Sequence, residues 1–261
     1  MTRLDRTLSA LRQSGRSGLV TYFAAGDPDP GACLALLRGL AEAGADVIEL
    51  GMPFSDPVAD GPVLQQANVR ALAGGQTLKR TLALMREFRA ADAKTPVVLM
   101  GYLNPILRHG VAAFLADAAA AGVDGLIVID LPIEHAGEIG REARACGIHL
   151  IRMSAPTSTD ERLAEVLRDA SGFVYHIMLA GTTGAELPDE RRIARDLGRV
   201  RARTRLPVAA GFGVRSPDEA RLVGRHADLV AVGSWLAQTL AERGVDGALD
   251  AVRELAAALR P

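Results

Sequence analysis

The segment from Asp46 to Pro62, DVIELGMPFSDPVADGP, carries two carboxylates in unlike settings. Glu49 sits near the C-terminal end of a short apolar run, Asp46 to Leu50, that reads as a strand. Side chains alternate along a strand, so Val47 and Glu49 share one face while Ile48 and Leu50 share the other. Asp60 follows on a proline-stiffened loop punctuated by Pro53, Pro57, Gly61 and Pro62. A desolvated Glu and a loop Asp acquire different pKa values, so one site can run acid–base chemistry and charge stabilisation together. The same residues also suit a strand-end anchor and a cap for the following helix, and spacing alone does not separate these readings.

Short β-branched runs recur at 18–24, 46–50, 96–101, 125–130, 148–152, 172–177, 207–211 and 228–232. Their low polarity fits parallel strands covered on both faces. Helical patterns lie between them, at 30–43, 77–91, 110–121, 134–146, 159–169, 189–203, 216–226 and 244–259. Eight β–α alternations without a linker predict an α/β chain, a single (β/α)8 TIM barrel spanning 1–261 as one domain. An extra N-terminal helix with Leu4, Leu8 and Leu11 on one face is expected to cap the barrel bottom. A further helix at 62–73 is expected as an insertion after strand 2. A doubly wound nucleotide-binding sheet needs a glycine fingerprint after its first strand, and AAGDPDPG puts prolines there instead.

Barrel chemistry gathers at the C-terminal ends of the strands. Those ends offer Ala25-Gly26-Asp27, Glu49, Gly101-Tyr102-Leu103-Asn104, Asp130-Leu131-Pro132, Ser154, Tyr175, Gly211-Phe212-Gly213 and Gly233-Ser234. The last two strands finish in AAGFGVRS and AVGSWLAQ, where glycines let the main chain approach an anion and a helix N-terminus faces it. Phosphate binding at Gly211, Gly213, Gly233 and Ser234 is expected, held mainly by amides and helix dipoles because no lysine is near. After the sixth strand, MLAGTTGAELPDERR has the composition of a hinged lid.

Net charge is −1, so nothing in the composition suggests a nucleic-acid or anionic-membrane partner. Cys33 and Cys146 make no disulfide framework, and the N-terminus is too interrupted by charge for a signal peptide or a membrane span. The cytoplasm is the expected compartment. Among 30 basic residues only Lys79 and Lys94 are lysines. Lys79 falls in a helix and Lys94 at the barrel bottom, so neither can form a Schiff base at a strand end. His109, His135, His149 and His226 lie away from the strand C-termini, and His176 should face the helix layer if Tyr175 faces the lumen. No metal site is expected. Carboxylate catalysis on a substrate carrying its own electron sink remains. Tyr22, Met100, Ile127, Ile129 and Phe212 are candidate walls for an apolar ring.

The wording of these motifs resembles the α subunit of tryptophan synthase along almost the whole chain. The matching segments are TYFAAGDPDP, ADVIELGMPFSDPVADGP, MGYLNP, IDLPIEH, APTSTDERL, AGTTGAE, AAGFGV and VGSW. The resemblance implies cleavage of indole-3-glycerol phosphate to indole and glyceraldehyde 3-phosphate, without a cofactor in this chain. It implies Glu49 and Asp60 as the acid–base pair, Tyr175 in support of Glu49, and Thr183 in the lid that closes toward Asp60. Gly184, Gly213, Gly233 and Ser234 would take the phosphate. Pro53, Phe54, Asp56, Asn104 and Pro132 would contact a β subunit that carries pyridoxal phosphate, in an α2β2 tetramer. The chain departs from the family pattern at His176-Ile177-Met178, at Trp235 and at Arg152-Met153-Ser154. A stand-alone lyase releasing free indole and a non-catalytic activating subunit are the alternatives.

Overall fold

A computed structural model of the chain describes residues 1–178, 188–211 and 213–260. Helix α1 (Arg3–Ser14) opens with a capping box in which the Thr2 hydroxyl accepts from Asp5 N–H and the Asp5 carboxylate accepts from Thr2 N–H. It leads into β1 (Gly18–Ala24), α2 (Pro30–Ala43), β2 (Val47–Gly51), α3 (Pro62–Ala73), α4 (Leu78–Ala91) and β3 (Val97–Gly101). Next come α5 (Leu103–His109), α6 (Val111–Ala120), β4 (Gly125–Val128), α7 (Ile133–Ala145), β5 (His149–Leu150) and β6 (Arg152–Ser154). The chain ends with α8 (Asp160–Arg168), β7 (Val174–Ile177), α9 (Glu190–Arg201), β8 (Val208–Gly211), α10 (Pro217–Gly224), β9 (Leu229–Val232) and α11 (Ser234–Ala258).

The strands form one parallel sheet in the order β5-β4-β3-β2-β1-β9-β8-β7-β6. Its two ends, β5 and β6, are separated in the chain only by Ile151, so they are two halves of one broken strand. The first half pairs with β4 and the second with β7. Counted that way, eight strands make a TIM barrel, as expected from the sequence.

Alternation along the strands sorts the core into two shells. Ile48, Leu50, Val97, Leu99 and Val208 point out toward the helices. Val47, Val98, Ile127, Ile151, Phe173 and Leu229 fill the lumen, joined by Leu4, Leu8 and Leu11 of α1. The N-terminal helix therefore plugs the barrel bottom. Asp124, just before β4, accepts from Val97 N–H and pairs with Arg89 (2.7 Å) and Arg3 (3.0 Å). Asp46, just before β2, binds Arg16 through both oxygens at 2.6 and 2.9 Å.

Two helices depart from expectation. α5 occupies Leu103–His109, which reads in the sequence as a loop, because no side chain caps it and Pro105 stands near its start. Proline is tolerated in a first turn, where its missing N–H has no intrahelical partner anyway. The final helix begins at Ser234, ahead of the expected 244, and Gly244 (φ 68°) kinks it in the middle. The inserted helix at 62–73 lies where the sequence puts it.

Candidate functional site

Strand β2 carries Glu49 into the lumen above Val47, opposite Tyr22 of β1 and Val98 of β3. The side chain is fully buried, and among the described residues neither carboxylate oxygen has a hydrogen-bond partner. Without a cation or donor to offset lost hydration, burial pushes the Glu49 pKa up to about 8. Glu49 is thus a neutral acid at pH 7, with a proton to give.

Asp60 comes from the loop between β2 and α3, folded by a turn in which Asp60 N–H donates to Pro57 carbonyl (2.9 Å). It too is buried, but it has partners. The Asn68 amide donates to its carboxylate at 3.2 Å, and Gln65 donates to its backbone carbonyl at 2.9 Å. Burial raises its pKa to about 6, while hydrogen bonds from Asn68 and Tyr102 pull the other way. Asp60 is therefore largely ionised at pH 7. Two carboxyl groups of one cavity rest in opposite protonation states at that pH, an arrangement suited to divided acid and base roles.

That cavity lies at the C-terminal mouth of the barrel. Tyr22, Glu49, Asp60, Met100, Tyr175, Gly213, Gly233 and Ser234 all line it, as the sequence suggested. The two tyrosine rings reach into it only because their neighbours are glycines. A Cβ on Gly51 would collide with the Tyr22 hydroxyl, and one on Gly211 with that of Tyr175. Burial raises both phenol pKa values well above the usual range, and nearby Glu49 contributes to each. No hydrogen bond joins Tyr175 to Glu49, whose oxygens have no hydrogen-bond partner among the described residues.

Gly213 has φ 98°, a left-handed conformation that glycine adopts without strain. It faces Gly233 and Ser234 across the cavity end, where α11 begins with its N–H groups uncapped by any side chain. A helix start of this kind attracts anions. Arg215 lines the same end, so a cation is present after all, although lysine is not.

Not every expected residue arrives here. Ile127 is fully enclosed in the lumen core beneath the cavity and does not line it, and Ile129 packs against that same core. Thr183, Gly184 and Phe212, together with most of the expected lid, lie outside the described residues. His176 faces the helix layer as the alternation requires. Its Nδ1 lies 2.9 Å from the Ser154 hydroxyl, and burial lowers its pKa to about 4.

Three loops meet at the rim beside Asp60. The Phe54 ring lies 5.4 Å from the Tyr102 ring, Ala59 N–H donates to the Tyr102 hydroxyl, and Leu103 N–H donates to Asp130. Pro53 and Phe54 are half-buried there, while Asp56, Asn104 and Pro132 are exposed. Val58 and Leu107, on two of these segments, are 79% and 56% exposed, so the rim shows apolar surface to solvent.

The sequence reading missed Leu64, Val214, Arg215 and Ala231 as lining residues, and Asn68 and Tyr102 as partners of the Asp60 segment. Asn68 left a signal, because it stands on the α3 face that also buries Leu64, Ala67 and Ala71. A lone amide in an apolar stripe is usually there to bond something.

Comparison with known proteins finds the same fold over the whole chain. The model of a family described as tryptophan synthase alpha chain matches residues 8–260. Tryptophan synthase from Mycobacterium tuberculosis superposes with a TM-score of 0.93 at 38% identity, covering 100% of this chain and 99% of that one. Tryptophan synthase subunit alpha from Legionella pneumophila gives 0.92 at 35% identity over 99% and 98%. A structure from Aquifex aeolicus gives 0.93 at 33% identity over the full length of both chains.

Proposed function

The chain belongs to the tryptophan synthase alpha chain family, and from that premise we propose how its residues divide the family's reaction, the lyase cleavage of indole-3-glycerol phosphate. The observation that carries the reading is the unlike pair, Glu49 protonated and Asp60 ionised, in one cavity that ends in a glycine-lined helix start.

Glu49 donates its proton to C3 of the indole ring, which turns the ring into an indolenine. The resulting carboxylate takes the proton of the hydroxyl on the adjacent side-chain carbon. The carbon–carbon bond then breaks, its electron pair restores the aromatic ring, and indole and glyceraldehyde 3-phosphate separate. Asp60 offsets the positive charge that grows on the ring nitrogen while C3 is protonated. Tyr22, Met100 and Leu64 line the cavity's apolar side against the ring, and Tyr175 packs beside Glu49. Gly213, Gly233, Ser234 and the Arg215 side hold the phosphate, with Gly184 joining them and Thr183 assigned to the lid by the family resemblance. The chain requires no cofactor for these steps.

The rim of Pro53, Phe54, Asp56, Asn104 and Pro132 is the docking face for a β subunit that carries pyridoxal phosphate and consumes indole, in an α2β2 assembly. The exposed side chains of Val58 and Leu107 support a protein partner at this rim. We assign the chain to the cytoplasm as one domain over 1–261. Among the described residues no helix is long and apolar enough to cross a membrane.

The test is indole release from indole-3-glycerol phosphate by the purified chain, with and without its cognate β subunit. Release that rises with the β subunit is expected. Full activity alone with no complex at micromolar concentration would replace this reading by a stand-alone lyase. No cleavage in either case would leave a non-catalytic subunit.

A further inference from the structure

Asn68 lies in the second turn of α3, 4% exposed, and each end of its amide is committed. Its nitrogen donates to the Asp60 carboxylate at 3.2 Å and to the Leu64 carbonyl at 2.9 Å. Its oxygen accepts from Phe54 N–H at 3.1 Å. One planar group thus spans from the Pro53–Phe54 segment at the rim to the loop carboxylate in the cavity. The Phe54 ring also packs near Tyr102, whose hydroxyl accepts from Ala59 N–H, next to Asp60.

An amide bonded at both ends cannot rotate without losing a bond to a buried group. The shape of the loop and the orientation of Asp60 are therefore set together. The Leu64 carbonyl fixes the amide nitrogen from the helix side, so α3 supplies the rigid reference. We propose that Asn68 is the positioning residue of Asp60, and that it is the link through which movement of the Phe54 segment changes the aim and ionisation of that carboxylate. The inference rests on the catalytic reading of Asp60 and on the docking face given above.

The charged and titratable groups around Asp60 limit what else can set its ionisation. Tyr22 of β1, Glu49 of β2 and Tyr102 after β3 face it, and Arg215 lines the same cavity. Glu49 is neutral at pH 7 and the phenols stay protonated. Among these groups Asn68 and Tyr102 give the hydrogen bonds that favour the Asp60 anion.

The test compares wild type with Asn68→Leu, close in volume with no amide, and Asn68→Asp, which retains an acceptor for Phe54 N–H but loses the donor. Indole-3-glycerol phosphate cleavage is measured across pH, with and without the cognate β subunit. Loss of one hydrogen bond to a charged group in Asn68→Leu should lower kcat about 10- to 100-fold while KM changes little. The acid limb of kcat/KM should move up by about one pH unit, and stimulation by the β subunit should largely vanish. Asn68→Asp should move the acid limb at least as far and keep part of the stimulation. Near-ultraviolet circular dichroism and glyceraldehyde 3-phosphate binding report folding, and if Asn68→Leu fails to fold, Asn68→Asp decides alone. A folded variant with an unmoved acid limb, or with KM raised and kcat intact, overturns the proposal. A wild-type chain that does not cleave the substrate refutes the functional reading instead.

Discussion

The aspartates at the barrel bottom and the two carboxylates of the cavity are held in opposite ways. At the bottom, Asp46 meets Arg16, and Asp124 meets both Arg3 and Arg89, each also accepting a backbone N–H. In the cavity at the top, among the described residues, Glu49 has no hydrogen-bond partner and Asp60 has only neutral donors. An aspartate held by arginine and amide donors has no reactivity left to offer, and it ties helices to strands. A carboxylate buried without a cation holds its proton too tightly or its charge at a cost, which is the condition for proton transfer near neutral pH. Asp27, at the top after β1, is buried and held by Arg70 at 2.7 and 3.0 Å, so the presence of a cation, rather than position along a strand, decides which use a carboxylate serves.

The largest effect should come from Glu49→Gln. The amide cannot give a proton to carbon and take one from a hydroxyl, so cleavage should fall below detection while glyceraldehyde 3-phosphate still binds. Cleavage within tenfold of wild type would place Glu49 with the bottom carboxylates. The same variant has a stability signature. The folded pKa of Glu49 is about 8 against an ordinary value of 4.5, so folding favours the protonated form. Its contribution is full below about 4.5 and is lost as pH rises through about 8, each pH unit between them being worth about 1.4 kcal/mol at most. Glu49→Gln should therefore gain stability over wild type from pH 5 to pH 9 in urea unfolding.

Asp60→Asn should lower turnover by about 10²–10³-fold, the usual loss when one charge-stabilising group leaves a desolvated site. In the wild type, kcat/KM should fall as pH drops through about 6, as Asp60 protonates, and again as pH rises through about 8, as Glu49 ionises. A flat profile between pH 5 and 9 would detach both groups from the chemistry.

Much of this contrast is legible in the amino-acid sequence. The alternation of Val47, Ile48, Glu49 and Leu50 determines which way Glu49 points, and Leu4, Leu8 and Leu11 mark the plugging helix. Other parts stay hidden there for physical reasons. α5 has no capping side chain to announce it, and strand five is interrupted at Ile151 by nothing visible in HLIRMS. Ile127 points inward as alternation demands, yet complete enclosure by its neighbours, which pattern does not encode, removes it from the cavity wall. The Phe54–Asn68–Asp60 bonds link residues up to fourteen apart through a loop whose path no periodicity describes. Arg215 is legible as a cation beside Gly213, but only the fold brings it to the cavity.

The bottom supplies the converse case. Asp124→Ala removes the carboxylate between Arg89 and Arg3 and frees Val97 N–H, and Arg89 is 9% exposed. Breaking a buried pair in this way should cost on the order of 3 kcal/mol, discounted for the partly exposed Arg3. At a temperature where the variant remains folded, kcat should match wild type. A loss of kcat with full stability would mean that the two ends are not independent.

The smallest effects should appear at the phosphate end, where binding is spread over several groups. Gly213→Val forces a β-branched residue into φ 98° and fills the space an anion would approach. It should weaken glyceraldehyde 3-phosphate binding by at least about tenfold, since of order 1–3 kcal/mol of backbone strain must be relieved or the amide moved. Ser234→Ala removes one hydroxyl from a cradle that keeps its amides and the Arg215 side, so the loss should be only about three- to tenfold. Indole has no phosphate, and its binding should be unchanged in Ser234→Ala and nearly so in Gly213→Val. Calorimetric titration of both ligands separates the cases. Equal weakening of indole and of the phosphate ligand would show a collapsed cavity rather than a lost anion site, and the glycine-lined end of the barrel would then be a turn with no ligand of its own.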